Sequence, residues 1–377
     1  MQLDSLFFLD GGSGSEMIAA GMPQGVCPEV WALNNPKSIT DIQKRYKEAG
    51  CNAVTTFTFG GSRIKLQGYA AEAKTSEINK ELALLSRSAV GSNCLVGGDI
   101  GPTGLFPLPF GDTHFDTFYD VFKEQVLALD EGGVDFFIIE TMMNITEAKA
   151  AVIAAKNNSN KPVYATVTVD ETGHTLSGAT VKSAALILAR AGADAVGLNC
   201  SLTPYDMLPF ISELSEVCPL PIIAQPNGNY QSEGMLVTMP PEEYSYTMLD
   251  IAKAGATFIG GCCGTTPEHM SYTTSLLSDF VPEKRREITA RYAACERMIF
   301  NLDEIRDAES YPVISPDEIC ESASPLLRVR LDNTDDADAL NESLMFAAAP
   351  VALSGNIDAV SRAKLICPAL FDEVNGL

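Results

Sequence analysis

No stretch of about 18 or more apolar residues runs through this chain unbroken by charge, so a membrane-spanning helix is not expected. Basic residues are scarce. Lysine and arginine number 26 against 49 aspartates and glutamates, a formal net charge of −23. The basic face that binding to phosphate backbones requires is missing, which argues against nucleic acid as a partner. The acidic excess identifies no substrate, since a solvated acidic surface accounts for it. The opening residues, Met1-Gln2-Leu3-Asp4-Ser5-Leu6, carry no basic segment ahead of an apolar one. No export signal is evident, and a cytoplasmic location is expected. In that setting ten cysteines do not read as a disulfide framework. They also lack the Cys-x-x-Cys spacing of structural zinc knuckles.

What is present is a large apolar core. Hydrophobic residues make up 46% of the 377 and charged ones 20%, as in a globular protein. Short β-rich runs at 6–10, 53–58, 95–98, 136–140, 163–169, 195–200, 222–225 and 257–261 alternate with longer amphipathic segments. These segments include 38–49, 76–90, 113–131, 145–156 and 182–191. Several end in glycine just before the next run, at Gly50, Gly132-Gly133, Gly192 and Gly255, the usual helix stop. Eight such units predict a (β/α)8 TIM barrel over residues 1–281, with its functional site where the strands finish. Beyond it the pattern changes. Residues 282–297 read as a charged helix, and a linker with Pro312, Pro316 and Pro325 runs to 325. A small α/β appendage over 326–377 is expected, with strands at 326–331 and 351–353, helices at 335–346 and 357–365, and no ligand constellation.

The chemistry concentrates in Gly260-Gly261-Cys262-Cys263-Gly264-Thr265-Thr266-Pro267. Consecutive side chains on a true strand point to opposite sides. Both cysteines reach one ion only where the backbone turns, and the flanking glycines make that turn inexpensive. Cys200, in Leu198-Asn199-Cys200-Ser201, ends another apolar run and is a third candidate. Three thiolates from strand ends would bind zinc and leave its fourth position open, as catalytic sites do. Two other readings of Cys262 and Cys263 stay open on spacing alone: reduced core residues, or a redox-active vicinal pair. The remaining cysteines, Cys27, Cys51, Cys94, Cys218, Cys295, Cys320 and Cys367, stand singly, as packing residues do. An open thiolate site of this kind would suit a substrate thiol, which would lose its proton there and attack an electrophilic carbon such as a methyl group.

Six segments then carry a resemblance. They are Asp10-Gly11-Gly12-Ser13-Gly14-Ser15-Glu16, Thr56-Phe57-Thr58-Phe59-Gly60, Gly98-Asp99-Ile100-Gly101-Pro102-Thr103-Gly104, Ile139-Glu140-Thr141, Gly197-Leu198-Asn199-Cys200-Ser201 and 260–267. In family order they resemble the zinc-dependent homocysteine S-methyltransferases, most closely the homocysteine-binding module of cobalamin-dependent methionine synthase. The resemblance implies a (β/α)8 barrel and zinc held by Cys200, Cys262 and Cys263. It also places the homocysteine ammonium at Asp10 and Glu140, where two carboxylates would grip it through charged hydrogen bonds. Backbone amides near Gly11 and Gly12 are expected to face the substrate carboxylate. Asn199 either orients the site or makes an ordinary strand-end hydrogen bond. His269 follows a helix start and is a minor candidate ligand, while His114 and His174 read as surface residues.

The family divides by methyl donor: methylcobalamin, betaine or a sulfonium such as S-methylmethionine. Betaine enzymes set aromatics where this chain has Val26, Gly60 and Thr141, which argues against a quaternary ammonium. The 98–104 segment resembles the cobalamin branch. Methylcobalamin on a separate corrinoid protein is therefore the expected donor, with homocysteine as acceptor. Two alternatives remain: a non-catalytic homocysteine- or zinc-binding subunit of a methyl-transfer complex, and a methyltransferase for a different thiol.

Overall fold

The computed structural model describes residues 5–232, 234–283, 287–305, 310–369 and 371. Eight parallel strands form its central sheet: β1 (Phe7–Phe8), β2 (Ala53–Thr55), β3 (Leu95–Ile100), β4 (Phe136–Met142), β5 (Val163–Val167), β6 (Ala195–Asn199), β7 (Ile222–Gln225) and β10 (Ala256–Ile259). An antiparallel hairpin of β8 (Asn229–Ser232) and β9 (Met235–Thr238) is inserted after β7. The sheet order is β1-β10-β7-β6-β5-β4-β3-β2. Asn52 N–H donates to the Phe8 carbonyl at 2.8 Å, and Thr55 N–H donates to Asp10 Oδ2 at 2.7 Å, so the two end strands meet. The architecture is the expected (β/α)8 barrel. Asp10 serves the seam directly, its carboxylate doing the work of a ladder carbonyl.

An outer helix follows each barrel strand: Pro36–Glu48, Thr75–Val90, Phe115–Glu131, Ile145–Asn158, Val181–Ala191, Pro204–Val217, Pro241–Lys253 and Pro267–Leu276, with the shorter helices Ser13–Ala19 and Pro28–Asn34 ahead of the first and Arg63–Gln67 ahead of the second. Each starts and stops for a local reason. Asn144, Thr180, Thr203 and Thr266 accept backbone N–H bonds as N-caps. Gly192 ends Val181–Ala191 at φ 108°, a conformation that costs other residues energy. Inside the barrel, Phe7, Phe136, Tyr164 and Phe258 stack with neighbouring ring centroids 4.8–6.4 Å apart. Leu9, Ala53, Ile138, Ala195 and Ile223 complete the same cluster. This packed interior plugs the barrel, leaving the strand C-termini as the place for a cavity.

The expected helix over 282–297 does not form as read. Residues 284–286 lie outside the described ones, and Tyr292–Ala294 is a strand paired antiparallel with Ile299–Asn301. Ala293, Ala294 and Cys295 are all buried, and the Cys295 N–H donates to the Met298 carbonyl where the two strands turn. The Thr180 N–H pins the Glu296 carbonyl against the helix Val181–Ala191. Farther on, Val313–Ile314, Leu327–Leu331 and Val351–Gly355 form a three-stranded parallel sheet. Helices Thr334–Ser343 and Ile357–Ile366 accompany it. Its edge strand, Val313–Ile314, comes from the stretch read as linker. Buried Lys149, on the barrel helix Ile145–Asn158, donates to the Lys364 and Cys367 carbonyls at 2.6 and 2.8 Å, tying this sheet's last helix to the barrel. Among the described residues no helix is long and apolar enough to cross a membrane.

Candidate active site

A cavity of about 380 Å³ opens at the C-terminal ends of the barrel strands. Asp10, Glu140, Cys200, Cys262 and Cys263 all line it. Residues more than 250 positions apart are thus brought to one face by eight strands that run the same way.

The three sulfurs lie within 4.8 Å of one another, with Cys200 Sγ 3.9 Å from Cys263 Sγ. Tetrahedral ligands ~2.3 Å from a zinc ion sit ~3.8 Å apart, so the spacing matches one shared metal. None of the ten cysteines is in a disulfide. The backbone is bent to achieve this. Cys200 and Ser201 have φ of 60° and 56°, uncommon for residues with a side chain. The Cys262 N–H donates to the Pro226 carbonyl, and the Gly228 N–H to the Cys263 carbonyl. Between those anchors the chain turns, and Gly264 leaves the turn at φ 80°. A Cβ on Gly12 would stand 2.6 Å from the Cys262 carbonyl, so glycine is required where the first strand-end loop packs on the cysteine turn. Hydrogen bonds from Cys200 and Cys262 lower the Cys263 thiol below its ordinary value, while hydrogen bonds to its partners and burial hold Cys262 well above it.

Asn199 stands beneath this cluster. Its Oδ1 accepts from Thr141 N–H at 2.7 Å and Thr166 Oγ1 at 2.8 Å. Its Nδ2 donates to Thr141 Oγ1 at 2.7 Å and points at Cys262 Sγ, 3.8 Å away. Asn199 thus makes strand-end hydrogen bonds to two neighbouring strands and also lies beside the Cys262 sulfur. The amide joins the acid-bearing end of β4 to the cysteine turn. Thr141 itself has φ 60°, and the β4–β5 register shifts between Ile139 and Met142. A bulge of this kind re-aims a side chain, here Glu140.

Asp10 is buried and accepts from both Thr55 N–H and Thr55 Oγ1. It caps no helix, because the N-cap of the next helix is Gly12 and makes no side-chain bond. Burial pushes its carboxyl up to about 7. Burial, then the charge of Asp10, pushes Glu140 up to about 8. Two carboxyls so placed lack a cation. Among the described residues lining the cavity, the single basic one is Lys65. The Gly12 N–H is already taken by Thr265 Oγ1 and the Thr265 carbonyl, at 3.0 and 3.3 Å. Of the two amides expected to face an anion, Gly11 is the one with no such bond.

His269 is no part of the cysteine cluster. Its Nδ1 meets Thr266 in a capping box, and its Nε2 meets the Met239 carbonyl at 2.8 Å. Phe57, Phe59 and Tyr69 also line this cavity, from positions near Gly60. Sequence reasoning passed over Asp99 and Gln225, both buried in the cavity wall. Asp99 was visible only as one letter of a glycine-rich segment, and Gln225 as the end of an apolar run.

This barrel, with three convergent thiols at its strand ends, fits a recognised class of enzyme. Residues 7–276 match the family described as homocysteine S-methyltransferase, and the chain belongs to that family. It is 28% identical over 298 residues to the methionine synthase of Mycobacterium tuberculosis, covering 74% of this chain and 25% of that protein. The methionine synthase of Mycobacterium leprae is 28% identical over 282 residues, covering 70% of this chain and 23% of that one. The chain thus spans about a quarter of the length of these curated relatives. Among solved structures, the metallated form of the homocysteine methyltransferase MmuM from Escherichia coli aligns with a TM-score of 0.62 at 22% identity. The alignment covers 73% of this chain and 97% of that one, a likeness of fold.

Proposed function

We propose that this protein transfers a methyl group to the thiol of L-homocysteine to form methionine, using zinc held by Cys200, Cys262 and Cys263. The observation that carries the reading is that these three sulfurs and the acids Asp10 and Glu140 share one cavity. When bound there, zinc supplies a Lewis acid that keeps an incoming thiol deprotonated at neutral pH. The protein's own residues do the rest. Asp10 and Glu140 receive the substrate ammonium, and its charge returns both carboxyls to the ionised form that burial disfavours. The Gly11 amide and the loop around it face the substrate carboxylate. Asn199 holds Glu140 and Cys262 in mutual register. The thiolate sulfur then forms a bond to the donor's methyl carbon as the donor–carbon bond breaks, its electron pair leaving with the donor.

For the donor we propose methylcobalamin carried by a separate corrinoid protein that approaches the strand-end face. The 98–104 segment and the methionine synthase relatives support this choice. A second reading, a small sulfonium donor such as S-methylmethionine, has one observation in its favour: Phe57, Phe59 and Tyr69 on the cavity wall are suited to a cation. Zinc-loaded protein should form methionine from homocysteine and methylcobalamin, free or protein-bound. Turnover with S-methylmethionine and none with methylcobalamin would overturn the corrinoid branch. Loss of activity with every donor despite bound zinc would favour a non-catalytic binding subunit.

A further inference from the structure

The floor of the cavity holds two polar side chains with nothing to bind. Asp99 is 3% exposed and Gln225 2% exposed, and both line the cavity. Asp99 Oδ1 and Gln225 Oε1 are buried without a hydrogen-bond partner. The backbone of Asp99 is fully used, its N–H donating to Thr56 Oγ1 and its carbonyl accepting from Thr58 Oγ1. Its carboxyl has no such role in the fold. On β3, Asp99 pairs with Ile138, a residue of the barrel-interior cluster. It therefore faces inward, one layer beneath Glu140 on the neighbouring strand. Leaving a carboxyl in such a place is costly unless something pairs with it. Asn or an apolar residue would serve the fold better.

The missing partner is supplied by the ligand chemistry. A primary ammonium carries three N–H donors and one positive charge, whereas Asp10 and Glu140 provide two side chains, one of them partly engaged by Thr55. We propose that Asp99 is a third acid of the amino-acid pocket, a specificity-determining residue that selects thiols bearing a free α-ammonium. This rests on the homocysteine reading above. Its consequence is discrimination: a thiol whose nitrogen is acylated or missing leaves Asp99 buried without a cation and is rejected. Burial, then the charges of Glu140 and Asp10, already hold the Asp99 carboxyl well above the ordinary range, as expected of a site waiting for a cation.

The test is binding of two thiols to zinc-loaded protein by calorimetry: homocysteine and 4-mercaptobutanoate, which is the same skeleton without the amino group. Tight binding of homocysteine by the unaltered protein checks the underlying reading, independently of Asp99. In Asp99→Asn, homocysteine affinity should fall by about 10-fold or more, as for loss of a charge-assisted contact. Affinity for 4-mercaptobutanoate should hold or rise, so the ratio between the two collapses. The thermal midpoint of the ligand-free variant should not fall, because a buried unpaired acid has been removed. Equal losses for both thiols, or an unchanged ratio, would overturn the proposal. Should Asp99→Asn fail to fold, Asp99→Ser is read by the same ratio; failure of both variants would make Asp99 a structural residue and overturn it too.

Discussion

Asp10 does two jobs that pull against each other. Its carboxylate closes the β1–β2 seam through Thr55, yet it lies in a cavity shared with Asp99 and Glu140 and near buried Tyr46 and Cys51. Burial raises it from 3.8 to about 7. Between those values the folded protein holds a proton that the unfolded chain has released. The stabilisation from this group is therefore complete below its ordinary value and is lost as pH rises through about 7. Asp10→Asn cannot titrate. Its thermal midpoint relative to the unaltered protein should climb as pH rises from 3.8 to about 7 and level off above that, measured without ligand. Parallel curves would mean that Asp10 stays ionised across that range. The same substitution should weaken homocysteine binding, since stability and function are in conflict at this residue.

At the scale of elements, the site depends on strand ends that depart from regular geometry. The bulge at Glu140–Thr141 is held by Asn199, and the left-handed Cys200–Ser201 pair by the Cys200 N–H donating to the Gln225 carbonyl and by the contact of the Ser201 and Thr168 hydroxyls. Replacing Asn199 with alanine leaves the Thr141 N–H without its acceptor and frees the Cys262 sulfur from its nearest amide. Zinc affinity should drop by roughly 10–100-fold, the usual effect of losing an orienting group, with the far-ultraviolet circular dichroism unchanged. A competitive chelator titration measures it, and an unaltered affinity would show that the cysteine turn is rigid by itself. The elements were largely legible in the sequence because parallel barrel strands are buried on both faces and read as apolar runs ending near glycine. The 282–297 stretch misled because its charges resemble a helix face, whereas contacts with Thr180 and Ser183 hold the carbonyls of residues 295–296, at the turn of the hairpin, against the barrel. The β8–β9 hairpin also went unread, since its side chains are largely exposed and carry no strong period.

Across the whole molecule, the barrel converts a sequence of separated motifs into one cavity. Cys200, Cys262 and Cys263 stood out because cysteines flanked by glycine at the ends of apolar runs are unusual, whereas Asp10 and Glu140 were legible only through the resemblance to the family. Asp99 and Gln225 did not stand out, because an unpartnered carboxyl or amide is a property of three-dimensional packing and leaves no mark on spacing. The aromatic wall of Phe57, Phe59 and Tyr69 was missed for the same reason: position in a motif does not reveal which neighbour reaches the cavity. The central claim is that three thiolates hold one zinc with a position left for the substrate sulfur. X-ray absorption at the zinc edge, on protein loaded with one zinc per chain, tests it most directly. The account predicts sulfur scattering from Cys200, Cys262 and Cys263 plus one lighter ligand, with one more sulfur on adding homocysteine. A zinc bound by fewer of these sulfurs, or a sulfur count that homocysteine leaves unchanged, would contradict it.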